Sequence, residues 1–147
     1  MPSELSEPES ASPMPVARST PPNMPPAPVI RMTELGIPLI LAAYLIAVAL
    51  RLAQGSATVA LTTAAALIAP GVINGGYGPI EVACFVMALA AGSVFAGHVN
   101  DSGFWLVGRL LDMDVKTTLK VWTVQQAIES VVAFALVLVL YGVVSLF

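Results

Sequence analysis

Long apolar runs separated by short polar segments make up most of the chain after residue 33. The first run, Leu35–Leu50, lies between Glu34 and Arg51. With its flanking residues it is long enough to cross a bilayer, which takes a helix of about 20 residues. The final segment, about Val121–Phe147, is uninterrupted from residue 131 to 140 and is therefore the clearest predicted span.

Two further apolar segments lie between these runs. After the small and polar residues QGSAT, residues 54–58, the pattern predicts a helix over about Thr58–Ala69 that ends at Pro70 and Gly71. We expect Ser56 or Thr58 to cap it. Another segment, Ile80–Phe95, is followed by the polar sequence GHVNDSG.

The sequence from residue 104 to 123 mixes apolar and charged residues. It is too short and too charged to span a bilayer, and it predicts a surface connection with a short interfacial helix. Asp114 is a suitable cap for a helix that starts in this stretch. Its tryptophans, Trp105 and Trp122, suit the depth of lipid headgroups.

The pattern predicts an all-α integral membrane protein. We expect about three to four transmembrane or re-entrant helices, including a broken helical hairpin, within a membrane domain at residues 34–147. Residues 1–33 are rich in Pro, Ser and Glu and predict a disordered tail, because so few large apolar residues cannot offset the entropy lost on ordering.

Composition agrees with a membrane protein. The 147 residues are 57% hydrophobic and 10% charged, with a mean hydropathy of +0.87, whereas soluble domains are about 25% charged. The expected surroundings are therefore a lipid bilayer. The formal net charge of -3 is small and scattered, which argues against a nucleic-acid partner.

The segment QGSAT interrupts a hydrophobic stretch, and this interruption has two interpretations. Backbone groups freed by a break in a membrane helix survive only where protein or a water-filled cavity covers them, and transporters use such breaks to bind ions and substrates. The amides around Gly55, with the hydroxyls of Ser56 and Thr58, would then hold an anion. Alternatively, the small residues form a close contact between helices.

The segment HVNDSG contains the only histidine of the chain, and it also has two interpretations. His98 and Asp101 lie three residues apart and suit proton coupling, because histidine titrates near neutral pH and aspartate can accept a proton or orient the imidazole. The same sequence is also ordinary chemistry for a solvated turn.

Three isolated charges lie close to apolar runs. A charge at mid-bilayer costs about 2.5–3.5 kcal/mol on insertion scales, so it usually has a function or a partner. Arg51 directly precedes the interrupted segment and could attract a carboxylate. Glu81 and Glu129 are interpreted as helix ends at the interface. The sequence predicts no metal site, no cofactor and no enzyme activity, since no catalytic constellation accompanies His98 and Ser102.

Two stretches, RLAQGSATVALTTAAALIAP (residues 51–70) and GHVNDSGFWLVGRLLDMDVKTTLKVWTVQQAIESVV (residues 97–132), resemble the C-terminal part of the gluconate permease family. These permeases are proton-coupled gluconate symporters, and the two motifs are characteristic of them in both order and spacing. The resemblance covers about residues 34–147. Gly97 stands where many members of the family carry a serine, which removes one hydroxyl from the edge of the pocket.

The resemblance implies proton-driven uptake of gluconate or a related sugar acid across the bacterial inner membrane by a multi-pass protein with re-entrant segments. It also implies that both polar segments line the pocket, with His98 or Asp101 carrying the proton. The substrate-binding residues would then be Arg51, Gln54, Gly55, Ser56, Thr58, Asn100 and Ser102.

Length separates the chain from such permeases, which need about a dozen spans of about 20 residues each. We therefore expect a truncated or partial transporter, for which a second polypeptide or a homo-oligomer would supply the missing helices. The alternative is a transport-inactive membrane fragment that only assembles with other transmembrane helices.

Overall fold

The computed structural model describes residues 38–146, and within them every regular element is helical. The helices are α1 (Leu39–Gln54), α2 (Ala57–Asn74), α3 (Pro79–Ser93), α4 (Ser102–Leu110) and α5 (Val115–Val144). The expected all-α class is therefore confirmed for this part of the chain. The predicted tail at residues 1–33 lies outside the described residues.

The core lies where α1 packs against α2 and α3, and where α3 packs against α5. Small residues allow these helices to approach closely: a Cβ added at Gly92 of α3 would lie 2.6 Å from the carbonyl oxygen of Tyr44 in α1. Aromatic rings fill the remaining space. Phe85 is 1% exposed, and Tyr44 stacks on Phe134 with ring centroids 3.9 Å apart.

A buried pair of hydroxyls links three helices within this core. The hydroxyls of Tyr44 and Ser130 are 3.1 Å apart, and Ser130 donates to the carbonyl oxygen of Ala91 at 2.7 Å. Both hydroxyl oxygens and the Ala91 carbonyl oxygen have a hydrogen-bond partner, so burying them costs little. These hydrogen bonds fix α1, α3 and α5 relative to one another.

Among the described helices, α2 and α5 are long and apolar enough to cross a membrane. Helices α1 and α3 are also apolar, but their 16 and 15 residues fall short of the usual length of a span. By length and composition, two of the described helices qualify as spans, so the expected number of three to four stays a prediction.

The prediction that α2 ends at Pro70 is wrong. The helix continues to Asn74 with Pro70 inside it. Proline removes one hydrogen bond of the helix, yet helices of membrane proteins tolerate this loss when neighbouring groups compensate. The start of α2 agrees with the prediction, because Ser56 caps it by accepting a hydrogen bond from the Val59 N–H at 3.4 Å.

Helix α5 begins earlier than the predicted Val121. Asp114 caps its first turn, as expected, by accepting hydrogen bonds from the Lys116 N–H and the Thr117 hydroxyl. The hydrogen bond from Thr117 lowers the pKa of this exposed carboxyl below its usual value. The helix then includes a π turn at Leu119–Thr123 before it resumes the α conformation.

The two isolated glutamates differ in their positions. Glu81 lies in the first turn of α3, where it accepts the Gly78 N–H at 2.8 Å, so its predicted place at a helix end is confirmed. Glu129 lies in the middle of α5 and is exposed, so the prediction of a helix end is wrong there. Because α5 runs without interruption from Val115 to Val144, Glu129 lies away from both of its ends.

Candidate functional site

A buried ion pair joins the end of α1 to the connection before α4. Arg51 lies in the last turn of α1 and is 3% exposed. Its Nη2 lies 2.5 Å from Asp101 Oδ2, and its Nη1 donates to the carbonyl oxygen of Gly55 at 2.6 Å. A cation near a helix C-terminus is favourable to the helix dipole. The guanidinium Nε is buried and has no hydrogen-bond partner in the described part of the chain.

The turn between α1 and α2 brings the first polar segment against the second. Gly55 has φ +73°, which a side chain rarely adopts, and this allows the chain to turn within two residues. A Cβ at Gly55 would lie only 2.3 Å from the backbone oxygen of Asn100. The Asn100 side-chain amide in turn donates to the Leu52 carbonyl oxygen at 3.1 Å. The two segments are therefore in direct contact.

Asp101 also starts α4. It is the N-cap residue, and its Oδ1 accepts the Gly103 N–H at 3.0 Å while Oδ2 pairs with Arg51. A carboxylate at a helix N-terminus is stabilised by the helix dipole. Both oxygens of this carboxylate are thus occupied.

Helix α5 contributes two residues that the sequence analysis did not select. The Gly97 N–H donates to Gln126 Oε1 at 3.1 Å, and the Thr123 hydroxyl donates to the Gly97 carbonyl oxygen at 2.7 Å. Thr123 belongs to the π turn, a feature that is frequent at functional sites. The available signal was the spacing of three residues between Thr123 and Gln126, which puts them on one face of the helix.

Gly97 lies at the centre of this arrangement. A Cβ added there would lie 2.4 Å from Gln126 Oε1 and 2.7 Å from both Arg51 Nη2 and Asp101 Oδ2. We use the term junction for the cluster of Arg51, Gly55, Gly97, Asn100 and Asp101.

The predicted site residues divide into two groups. Arg51, Gly55, Asn100 and Asp101 meet at the junction, and Ser56 caps α2 beside it. The second group consists of Gln54, Thr58, His98 and Ser102, whose side chains make no hydrogen bond to another described residue. His98 is half-buried, and the other three are exposed.

The chemistry of the junction suits an anion more than a metal. Within residues 38–146, no three of the His, Cys, Asp and Glu side chains come close enough to hold a metal ion. The guanidinium of Arg51 can make hydrogen bonds to a carboxylate, as its contact with Asp101 illustrates.

Comparison with known proteins identifies relatives of the chain. Residues 29–144 match the sequence model of a protein family described as GntP family permease. The low-affinity gluconate transporter of Escherichia coli K12 is 34% identical over 111 residues, covering 76% of this chain and 25% of that protein. The gluconate permease of Pseudomonas aeruginosa is 45% identical over 103 residues, covering 69% and 22%. The inner membrane permease YgbN of E. coli K12 is 39% identical over 108 residues, covering 74% and 23%.

The chain spans about a quarter of the length of the curated relatives it matches. No solved structure matches it. The relatives are transporters and not enzymes, and the apolar helices α2 and α5 agree with a membrane protein. The match over most of its length shows that the chain belongs to the GntP permease family.

Proposed function

We propose that the chain takes part in the uptake of gluconate or a related sugar acid by proton symport across the bacterial inner membrane, as part of a multi-pass transporter. Two named relatives transport gluconate. The observation that carries the proposal is the buried guanidinium of Arg51, which lies where the two polar segments meet. Burying a charge is costly, and in membrane proteins buried charges commonly mark the path of a substrate or an ion.

The substrate would bind at the junction through complementary chemistry. Arg51 would hold the carboxylate, and the backbone and side chains around Gly55, Ser56 and Asn100 would hold the hydroxyl groups. The exposed Gln54, Thr58 and Ser102 would complete the edge of the site. Asp101 or His98 would carry the coupled proton, and no cofactor or metal takes part.

The surface of the chain supports assembly with further helices, either from a second polypeptide or from copies of this chain. Glu129 is exposed within an apolar groove of about 450 Å³ between α3 and α5, which Met87, Ala90 and Leu140 help to line. Within a bilayer, a carboxylate in such a groove would need a partner. A chain that only assembles and does not transport is the competing function.

An uptake experiment separates the two. The full chain is expressed in cells that lack gluconate uptake, and accumulation of labelled gluconate is measured with and without a protonophore. We expect accumulation that the protonophore abolishes and that falls by about tenfold or more in Arg51→Gln, because a hydrogen bond to a charged group contributes about 1.5–3 kcal/mol.

Arg109→Gln is the matched control, since Arg109 is exposed on α4 away from the junction and its variant should accumulate gluconate normally. Membrane insertion without uptake would support the assembly function instead. Uptake restored only by co-expression of the missing region of a relative would support a partial transporter.

A further inference from the structure

We propose that Asp101 occupies the place of the substrate carboxylate on Arg51, and that the arriving acid displaces it and thereby causes the uptake of the coupled proton. This exchange rests on the proposed function. Its structural basis is the single contact between Arg51 Nη2 and Asp101 Oδ2, at 2.5 Å, with side chains that are only 4% and 13% exposed. Arg51 is the one buried cation in the described part of the chain.

Charge balance at the junction requires the exchange. In the resting state Arg51 and Asp101 neutralise each other. If an acid bound to Arg51 and Asp101 remained ionised, the buried site would hold one excess negative charge, which a low-dielectric environment strongly disfavours. A proton taken from water by Asp101 Oδ2 returns the site to neutrality.

The exchange balances in atoms and charges. The hydrogen bond from Arg51 Nη2 to Asp101 Oδ2 breaks, and one from Arg51 Nη2 to the substrate carboxylate forms. Asp101 Oδ2 gains one proton. Its Oδ1 can keep the hydrogen bond from the Gly103 N–H, since a neutral carboxyl group still accepts there, so α4 remains capped.

Asp101 is the only carboxylate that pairs with Arg51 among the described residues, so it is the group that takes up the proton in this exchange. Arg51 faces it from α1, α2 carries no charged residue, and α5 approaches through the neutral Gln126 at Gly97. On α4, the one charged residue is the exposed Arg109, in the last turn. His98 is the remaining titratable group of the same connection, and its imidazole makes no hydrogen bond to a described residue.

The test is calorimetric titration of the purified full chain in detergent with sodium gluconate at about pH 6, 7 and 8. Buffers of different ionisation enthalpy give the number of protons taken up. Uptake of one proton per gluconate predicts a Kd that rises about tenfold per pH unit. Asp101→Asn should bind gluconate with a Kd that does not depend on pH, because asparagine can cap α4 but cannot accept the proton.

His98→Gln identifies the proton carrier, because the exchange predicts that it keeps the pH dependence of the Kd. A pH-independent Kd for the unmodified chain would overturn the exchange and leave the proposed function standing. So would a pH dependence that disappears in His98→Gln and persists in Asp101→Asn. If the unmodified chain bound no gluconate at any pH, either alone or with the co-expressed region of a relative that it does not cover, the proposed function would fail, and the exchange with it. The measurement on the unmodified chain remains decisive even if Asp101→Asn does not fold.

Discussion

Two glycines set the geometry of the junction, and they do so for different reasons. Gly55 has a positive φ, and the space where its Cβ would lie is filled by the backbone of Asn100. Gly97 instead faces the ends of side chains, namely those of Arg51, Asp101 and Gln126. Backbone cannot move away cheaply, whereas the end of a side chain can. A side chain at Gly55 should therefore affect folding, and one at Gly97 should affect binding.

Gly55→Ala should strongly destabilise the fold. Left-handed backbone costs a residue with a side chain about 1–2 kcal/mol, and the contact with Asn100 adds to that cost. Gly76→Ala is a matched control, because Gly76 also has a positive φ, +69°, but has no atom within 4 Å of its Cβ position. Thermal unfolding in detergent, followed by circular dichroism, should show a clearly larger loss for Gly55→Ala. Equal losses would mean that the two polar segments do not touch.

Gly97→Ala should weaken gluconate binding with little effect on stability, because the side chains around this position are placed here for a residue without a Cβ, unlike those around a serine. The added methyl group displaces the polar ends of Arg51 and Asp101, and we expect the Kd to rise about tenfold, which corresponds to about 1.4 kcal/mol. Gly142→Ala on α5 is the control, because nothing lies within 4 Å of the added Cβ. Titration calorimetry and thermal unfolding of both variants check this. Unchanged affinity in Gly97→Ala would mean that gluconate does not bind at the junction.

At the level of elements, the sequence predicted caps better than the extent of helices. Ser56 caps α2 as predicted, because side-chain capping depends on local sequence. Asp114 is also a cap, but the helix that it begins is the long α5 and not a separate short helix. Helix α2 passes through Pro70, however, since the whole environment of the helix decides whether a missing hydrogen bond is tolerated. Local sequence does not contain that information.

The residues of the junction also divide into those that the sequence indicated and those that depend on how the helices pack. Contact between the two polar segments was implied by the resemblance to a family, and the structure brings Arg51, Asn100 and Asp101 together. The participation of Thr123 and Gln126 depends on how α5 packs across the connection. Their spacing indicates a shared face of the helix but not the element that this face meets, so sequence alone could not place them.

Replacement of Pro70 by alanine should stabilise α2. Proline inside a helix costs about 3 kcal/mol relative to alanine, and Pro70→Ala restores the hydrogen bond from residue 70 to the carbonyl of Ala66. Pro79→Ala is the control, since Pro79 occupies the first position of α3, where no such bond is lost. The melting temperature of Pro70→Ala should rise and that of Pro79→Ala should not. A fall for Pro70→Ala would indicate that α2 needs the proline for its shape.

For the molecule as a whole, the hydroxyl chain of Tyr44 and Ser130 keeps three helices in register. Ser130 is completely buried and bonds both Tyr44 and the Ala91 carbonyl. These hydrogen bonds fix the position of α5, the helix whose Gln126 accepts the Gly97 N–H. Tyr44 and Ser130 should respond unequally to substitution.

Ser130→Ala should destabilise the protein more than Tyr44→Phe. The first change leaves the buried Tyr44 hydroxyl without its partner, which costs about 1–3 kcal/mol, whereas the second removes one hydrogen bond worth about 1 kcal/mol and leaves Ser130 bonded to Ala91. The stacking of ring 44 on Phe134 is available in both variants. Unfolding of the two variants in the same detergent gives the comparison, and a larger loss for Tyr44→Phe would contradict the hydrogen-bond chain.

The central claim, that a sugar acid binds where the two polar segments meet, is tested most directly by substrate protection. Cys84 is the only cysteine of the chain and is fully buried, so a cysteine introduced by Ser102→Cys at the exposed edge of the junction should be the one that reacts with a maleimide. Ser145→Cys, exposed beyond the end of α5, is the control. We predict that gluconate slows the labelling of Ser102→Cys and leaves Ser145→Cys unchanged. If Ser102→Cys binds gluconate but reacts at the same rate with and without it, the substrate binds elsewhere and the claim is wrong.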